Sequence, residues 1–273
     1  MKLKKILATA MCVVLMAATL TACGSEGAKE TAGTSEGSAD KKTFTVGFDK
    51  EFPPYGYEED GEYKGFDLDL AAEVCARNGW ELVKQPIDWD SKDMELDSGA
   101  IDCIWNGFTM NGREDDYTWT EAYVDNSQVF VVKADSGIKT LADLKGKTVI
   151  TQADSSALKA LESDEQAEFK ASLANVDTVP DYNTAFLNLE AGSGDAVAMD
   201  IGVANYQIES RGSDKFAMLS EQLATEQYGI GFKKGNEELR DAVQKTLKEM
   251  VADGKFEEIA KKYDLTEVIC LEK

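Results

Sequence analysis

Charged and hydroxyl side chains follow the ends of predicted strands. Thr109 and Arg113 come shortly after a predicted strand over residues 101–105, and Asp200 directly follows a predicted strand over residues 195–199. Ligands of α/β proteins collect at the carboxyl ends of strands. A guanidinium recognises a carboxylate through two parallel hydrogen bonds, and a carboxylate recognises an ammonium. These residue types therefore suit a small molecule that carries both charges, although an arginine beside Glu114 and Asp115 could equally lie on the surface.

A second candidate for anion recognition is the sequence Asp-Ser-Ser-Ala at residues 154–157. It opens a predicted helix over residues 155–161, after a short strand over residues 148–151. The free N–H groups of a helix N-terminus and the hydroxyls of Ser155 and Ser156 suit a carboxylate. The serines could also act as a plain helix cap, and the two roles are compatible.

Several function classes are disfavoured by composition. The chain has 273 residues, no histidine and a formal net charge of -22. Without histidine it lacks the commonest general base and the commonest metal ligand, and it shows neither a nucleophile elbow nor a metal-ligand spacing. The negative charge argues against nucleic acid and against an anionic membrane surface as partners. We therefore expect no catalytic residue, no metal and no cofactor.

The cysteines do not form a disulfide framework. Cys75, Cys103 and Cys270 remain after the N-terminal segment is set aside, which is an odd number without metal spacing. Free cysteine is among the most buried residue types. The sequence therefore favours buried free thiols over a disulfide.

The N-terminus has the layout of a secretory signal peptide over residues 1–22. Basic residues precede an uncharged apolar stretch over residues 6–20, which is short for a membrane-spanning helix. Leu-Thr-Ala-Cys at residues 20–23 resembles the lipobox of bacterial lipoproteins, in which Cys23 is acylated and becomes the first mature residue. An uncleaved N-terminal anchor is the alternative. Residues 23–43 then predict a lipidated cysteine and a flexible linker, because they contain no aromatic and no branched aliphatic residue.

Strands and helices alternate through the remaining chain. We predict a strand over residues 43–48, a helix from Phe66 to Gly79 with Asp67 as its cap, and a strand over residues 81–85. A helix then ends at Gly99. The second half predicts a helix over residues 184–191, and residues 237–263 are helical with a break at Gly254. The alternation predicts βαβ units, a mostly parallel sheet and two lobes of similar α/β topology.

A series of short motifs carries a family resemblance. They are Val-Gly-Phe-Asp at 46–49, Phe-Pro-Pro-Tyr at 52–55, Gly-Phe-Asp-Leu-Asp-Leu at 65–70, Ser-Gly-Ala-Ile-Asp at 98–102, Gly-Phe-Thr at 107–109, Arg113, residues 119–123, Leu-Ala-Asp-Leu-Lys-Gly-Lys at 141–147, Met-Asp at 199–200 and Tyr-Gly-Ile-Gly-Phe at 228–232. Their order and spacing resemble the polar amino-acid-binding proteins of bacterial ABC transporters, solute-binding protein family 3. The resemblance covers nearly all of residues 44–263.

The resemblance implies a two-lobe α/β fold of the periplasmic-binding-protein type, with ligand enclosed between lobes that two hinge crossovers join. We expect the crossovers near residues 126–128 and 226–228, where extended residues fall. Lobe one would then comprise residues 44–127 and 225–273, and lobe two residues 128–224.

The resemblance also implies roles for individual residues. Arg113 would bind the ligand carboxylate together with Ser155 and Ser156, and Asp200 would bind its ammonium. Asn106 and Gly107 would offer backbone groups and Thr109 a hydroxyl. The side-chain pocket would consist of Phe52, Trp89 and Asp49. Ordinary core packing is the alternative for Trp89, and capping of a turn before Pro53 is the alternative for Asp49. The turn from Thr109 to Arg113 is a residue shorter than in many relatives, and the family often has glycine at Asp154.

The implied protein is a secreted binding component, lipid-anchored on the outer face of the cell membrane. It would capture a free polar or basic amino acid, act as a monomer, and deliver the ligand to two permease subunits and their ATPase. A free-standing amino acid sensor that presents ligand to a separate receptor is one alternative. A dehydratase-like enzyme on the same fold is another, because fold does not fix function.

Overall fold

The computed structural model describes residues 42–272. The predicted signal peptide, Cys23 and nearly all of the predicted linker lie outside the described residues. Within residues 42–272, no helix has the length and apolar character needed to cross a membrane.

Residues 42–272 form thirteen strands, eight α-helices and three short 3₁₀ helices. The strands are β1 (Thr43–Phe48), β2 (Glu51–Phe52), β3 (Gly56–Glu59), β4 (Glu62–Lys64), β5 (Glu81–Pro86), β6 (Cys103–Thr109), β7 (Thr118–Trp119), β8 (Val124–Lys133), β9 (Thr148–Gln152), β10 (Asn175–Val179), β11 (Ala196–Asp200), β12 (Phe216–Met218) and β13 (Ala224–Phe232). The α-helices are α1 (Phe66–Asn78), α2 (Lys92–Ser98), α3 (Ser156–Leu161), α4 (Ala167–Ser172), α5 (Tyr182–Ala191), α6 (Ile201–Arg211), α7 (Glu237–Asp253) and α8 (Lys255–Lys262). The 3₁₀ helices span Trp89–Ser91, Leu141–Leu144 and Asp164–Gln166.

One mixed sheet runs through the described chain in the order β10-β9-β11-β8-β13-β6-β1-β5. The three strands at one end, β10, β9 and β11, pair in parallel, and so do β6, β1 and β5 at the other. Between them, β8 and β13 pair antiparallel with each other and with both parallel groups. The expected α/β class is confirmed, but the expectation of a mostly parallel sheet missed this antiparallel centre.

The two predicted crossover segments fall in β8 and β13, which lie side by side. Ala224 is opposite Gln128, Glu226 is opposite Asn126, and Tyr228 is opposite Val124 in the ladder. Both segments are extended, as the sequence predicted. The pairing places the two connections between the parallel groups next to each other, which is the arrangement that a hinge needs.

The apolar core consists of three clusters, and the largest extends across both halves of the sheet. One cluster packs α1, α7 and α8 against β1 and β13, with Phe66, Val74 and Leu247 fully buried, and it continues to Tyr182 and Phe186 of α5. A second cluster packs α3 against β9, with Leu161 and Val149 buried. A third, smaller cluster surrounds Phe108 and Trp119.

Helix α1 differs from the sequence prediction at its N-terminus only. Its C-cap is Gly79 in the left-handed conformation, as predicted. Its N-cap is Gly65, and the prediction that Asp67 caps the helix was wrong. Asp67 lies inside the first turn, where its carboxylate accepts hydrogen bonds from the backbone N–H of Gly107 and the hydroxyl of Tyr123. The carboxylate therefore links α1 to β6 and to the start of β8 rather than satisfying its own helix.

Free buried thiols are confirmed for two cysteines. Cys75 and Cys103 are free and buried, and burial raises the pKa of Cys75 to about 12. Cys270 is also free but only half-buried.

Candidate functional site

The predicted site residues lie on or next to both parallel groups of strands. Asn106, Gly107 and Thr109 belong to β6, and Asp49 and Phe52 follow β1. Ser155 and Ser156 begin α3, and Asp200 ends β11. Most of these side chains are buried: Asp49, Phe52, Asn106, Thr109, Arg113, Ser155 and Asp200.

Arg113 bridges the two parallel groups of strands. Its Nη1 donates to the backbone oxygen of Thr109 at 3.2 Å and to Oγ of Ser156 at 3.0 Å. The guanidinium also lies over the ring of Phe108 at 5.3 Å. Its side chain is buried, yet no carboxylate of residues 42–272 forms an ion pair with it. A buried guanidinium that has only neutral partners is suited to an incoming carboxylate.

The N-terminus of α3 faces this guanidinium. Ser155 is the N-cap, and its Oγ accepts from the backbone N–H of Leu158. Ser156 directs its Oγ to Arg113. The residue before them, Asp154, adopts a left-handed backbone with φ of 55°, a conformation that aspartate tolerates better than most residues. The capping role of Ser155 is thus real, while Ser156 is the serine beside Arg113.

Asp200, the last residue of β11, is a second buried charged residue among the predicted site residues. Its Oδ1 accepts from Nδ2 of Asn126 at 2.8 Å, Nε2 of Gln128 at 2.7 Å and the hydroxyl of Tyr228 at 2.5 Å. Burial raises the pKa of Asp200 to about 7, and the negative charge of Glu226 adds to this increase. A cation close to this carboxylate would relieve both effects.

Sequence reasoning missed three polar residues of the site: Asn126, Gln128 and Glu226. All three are buried, and they lie on the crossover strands β8 and β13. The extended crossovers were predicted, but the inward-facing polar residues on them were not considered. Polar side chains at positions 126 and 128, two residues apart in a buried strand, are the signal that could have found them.

Asp49, which follows β1, contacts a residue of β9 in the opposite parallel group of strands. Its Oδ2 accepts from Nε2 of Gln152 at 2.6 Å, and its Oδ1 accepts from the backbone N–H of Glu51 at 2.8 Å. Burial raises the pKa of Asp49 to about 6, with smaller contributions from Asp181 and Glu51. Asp49 therefore also fulfils the alternative role of capping the turn before Pro53.

The two predicted aromatic walls have different surroundings. Phe52 packs against Tyr55 and Tyr182, with ring centroids 5.9 Å and 6.0 Å away. Trp89 is half-buried and meets Phe108 edge-on at 5.5 Å. Trp89 and Asp49 line one cavity of about 650 Å³. Five further acids also line it: Glu51, Asp88, Asp90, Glu95 and Asp181.

The predicted groups of β6 already have partners within the chain. The N–H of Gly107 donates to Asp67, and Oδ1 of Asn106 accepts from the N–H of Asp49 at 2.6 Å. The hydroxyl of Thr109 donates to Oε1 of Glu226 at 2.8 Å. Gly107 has φ of +56°, and a Cβ there would lie 2.8 Å from the ring of Phe52, so glycine allows the aromatic wall to approach the strand.

Further contacts connect the two parallel halves across the cleft. Lys92, whose side chain is 2 % exposed, forms an ion pair with Asp154, and Asn183 donates to Glu51. Lys159 donates to the backbone oxygen of Gly112. Together with the bridges from Arg113 to Ser156 and from Gln152 to Asp49, these contacts define a closed arrangement.

This fold and this charged cleft define a two-lobe solute-binding protein. Comparison with known proteins agrees: residues 44–266 match the family model of bacterial extracellular solute-binding proteins, family 3, and the chain belongs to that family. The family resemblance seen in the sequence is thereby confirmed.

The relatives and solved structures include several named binding proteins. The chain is 29% identical over 228 residues to the L-cystine-binding protein TcyJ of Escherichia coli (strain K12), covering 82% of this chain and 83% of that protein. It is 30% identical over 267 residues to the arginine-binding extracellular protein ArtP of Bacillus subtilis (strain 168), covering 96% and 98%. A substrate-binding protein of an ABC uptake transporter from Streptococcus pneumoniae with bound histidine superposes with a TM-score of 0.78 at 35% identity, covering 81% of this chain and 92% of that one.

Proposed function

We propose that this chain is the substrate-binding component of an amino acid ABC importer and encloses a free polar or basic amino acid between its lobes. The observation that carries the proposal is the buried guanidinium of Arg113, which has no carboxylate partner among residues 42–272. The buried carboxylate of Asp200 provides the opposite charge. A free amino acid has a carboxylate and an ammonium on one carbon and supplies both missing partners.

The ligand's side chain would extend toward Asp49 and Trp89. An aromatic wall with an acid at its far end suits an extended chain that ends in an amide or a cation. The acidic lining of the 650 Å³ cavity adds to the preference for a polar or basic side chain. The names of relatives support the same range, since they include cystine, arginine, glutamine and histidine.

A screen of free amino acids against the purified protein tests the proposal. L-Arginine, L-glutamine, L-histidine and L-cystine should each be compared with the remaining amino acids by thermal shift, since a ligand of the folded state alone raises the melting temperature. At least one should raise it, and titration calorimetry should then yield a dissociation constant. Absence of any shift and of any binding heat across the set overturns the proposal. Recovery of the bound amino acid unchanged would distinguish a carrier from an enzyme.

The remaining parts of the proposal concern location and partners. Cys23 would be lipid-modified, and the protein would present ligand, as a monomer, to two permease subunits and an ATPase outside the cytoplasm. Mass spectrometry of the native N-terminus should show acylated Cys23 as the first residue. A native protein that begins at Met1 contradicts the lipid anchor. Loss of uptake in cells lacking this chain supports transport over sensing.

A further inference from the structure

Two carboxylates, not one, lie where the ligand's ammonium would bind. Asp200 is the last residue of β11 and Glu226 is the third of β13, and both strands pair with β8. In these ladders Asp200 is opposite Gln128 and Glu226 is opposite Asn126. Because positions 126 and 128 share one face of β8, all four side chains meet on that face.

The two amides bracket the two carboxylates. Nδ2 of Asn126 donates to Oδ1 of Asp200 at 2.8 Å and to Oε1 of Glu226 at 2.7 Å. Nε2 of Gln128 donates to the same two oxygens, each at 2.7 Å. The hydroxyls of Thr109 and Tyr228 complete the set at Glu226 and Asp200, respectively. Every one of these donors is neutral.

The second oxygen of each carboxylate remains free to accept a hydrogen bond. Among residues 42–272, no side chain or backbone group donates to Oδ2 of Asp200 or Oε2 of Glu226, and no lysine or arginine forms an ion pair with either acid. Both side chains are buried. Two adjacent buried carboxylates require a cation or a proton between them, since both cannot remain ionised at low cost.

We propose that Glu226 is a specificity-determining residue that holds the ligand's α-ammonium jointly with Asp200. This inference rests on the proposed function. An ammonium has three donors and no acceptor. It can give one hydrogen bond to each free carboxylate oxygen and keep a third for another acceptor. A ligand that lacks the amino group leaves both acids without a cationic partner.

A proton coupling follows from the pair. Burial and the adjacent charge of Glu226 raise the pKa of Asp200 to about 7, so without ligand Asp200 holds a proton below about that pH. The ammonium takes the place of that proton, so binding releases it. Affinity should therefore fall as the pH is lowered from 8 to 6, by at most tenfold per unit.

Other titratable groups around the pair do not replace this proton. Tyr55 of the β2–β3 turn, Tyr182 of α5 and Tyr228 of β13 face the pair. Burial raises the pKa of each well above its usual value, so they stay neutral. Lys159 and Glu165 line the small cavity of about 280 Å³ that Glu226 also lines. Burial and Arg113 lower the pKa of Lys159, and its amine donates to the Gly112 oxygen rather than to Glu226.

The test compares Glu226→Gln with wild type and with Asp125→Asn. Asp125 is an exposed acid of the neighbouring crossover strand β8, opposite Gln227, so its substitution removes one charge without touching the pair. The probe is whichever of L-arginine, L-glutamine, L-histidine and L-cystine wild type binds most tightly. Calorimetry at pH 6, 7 and 8, in two buffers of different ionisation enthalpy, measures affinity and protons released. Circular dichroism checks folding.

We expect Glu226→Gln to weaken binding at pH 8 by at least tenfold, to flatten the pH profile and to release fewer protons at pH 6 than wild type. Asp125→Asn should retain both the affinity and the profile. Equal weakening at every pH with unchanged proton release would show that Glu226 only positions Thr109 and the amides, and it overturns the proposal. If Glu226→Gln does not fold, wild type decides: binding without proton release between pH 6 and 8 refutes the pair. If wild type binds no amino acid, the proposed function itself fails.

Discussion

At the scale of single residues, Arg113 makes the sharpest prediction. Arg113→Ala would leave the ligand carboxylate buried without its main partner, which costs about 2–5 kcal/mol. Affinity should fall roughly thirtyfold to several thousandfold, because a tenfold change corresponds to ~1.4 kcal/mol. Arg113→Lys should also bind poorly, since an ammonium cannot give two parallel hydrogen bonds. Calorimetry measures both variants.

Arg77→Ala is the matched control for this prediction. Arg77 is paired with Glu73 and Asp253 on the surface, away from the cleft, so its loss should leave ligand affinity unchanged. Near-normal affinity in folded Arg113→Ala would exclude Arg113 from the site.

Asp67 makes a prediction about pH and stability. Burial raises the pKa of Asp67 to about 7 from the model-compound value of 3.8, despite hydrogen bonds from Gly107 and Tyr123. The folded state therefore binds a proton that the unfolded chain has already lost. This stabilisation is complete below about pH 4 and disappears as the pH rises through 7. Asp67→Asn should reduce the decline in the free energy of unfolding between pH 5 and 8.

Urea denaturation of ligand-free protein across this range measures the effect of Asp67→Asn. Asp69→Asn serves as the control, because Asp69 lies in the same helical turn but pairs with Lys262 at the surface. An identical pH profile in Asp67→Asn and wild type would show that Asp67 is ionised in the folded protein throughout.

At the scale of elements, the junction between β4 and α1 depends on glycine. Gly65 has φ of +141°, and a Cβ there would lie 2.1 Å from the backbone oxygen of Tyr55. A backbone atom cannot move aside as a flexible side chain can. Gly65→Ala should destabilise the protein by roughly 2–4 kcal/mol, from the strained conformation and the overpacking together.

Gly61→Ala separates these two effects in Gly65→Ala. Gly61 also has positive φ, at +79°, but a Cβ there meets nothing within 4 Å. Its substitution should cost only about 1–2 kcal/mol. Urea denaturation measures the free energy of unfolding of both variants. Equal decreases for Gly61→Ala and Gly65→Ala would show that the close approach to Tyr55 does not contribute.

The elements also show what sequence could and could not predict. Helices such as α7 and α8 were predicted with their break at Gly254, because a one-sided apolar pattern and a glycine are local signals. Strand direction at the sheet centre was not predicted, since pairing of β8 with β13 joins positions about 100 residues apart. The site residues show the same difference between local motifs and long-range pairing. Arg113 and Asp200 were named from local motifs, whereas Glu226 becomes a site residue only when β13 pairs with β8.

At the scale of the whole molecule, Lys92 tests the closed arrangement. Its buried amine pairs with Asp154 on the opposite side of the cleft. Ligand should favour closure by contacting both sides, and small-angle scattering should show a smaller radius of gyration with saturating ligand. Lys92→Met should enlarge the ligand-free protein and weaken binding by about tenfold or less, as expected for ~1 kcal/mol of lost pairing.

Lys245→Met provides the control for Lys92→Met, because Lys245 pairs with Glu249 on the exposed face of α7. It should change neither the radius nor the affinity. A radius that ligand leaves unchanged in both wild type and Lys92→Met would contradict a hinge at β8 and β13.

The central position of β13 has a consequence for how the chain is made. β13 ends at Phe232 and lies between β6, which ends at Thr109, and β8, which ends at Lys133. While the chain is being synthesised, β6 and β8 are therefore available more than 90 residues before the strand that joins them. The nascent protein holds two open sheet edges during that interval, and such edges template pairing with other chains. A protein of this connectivity needs these two edges shielded until β13 has been synthesised.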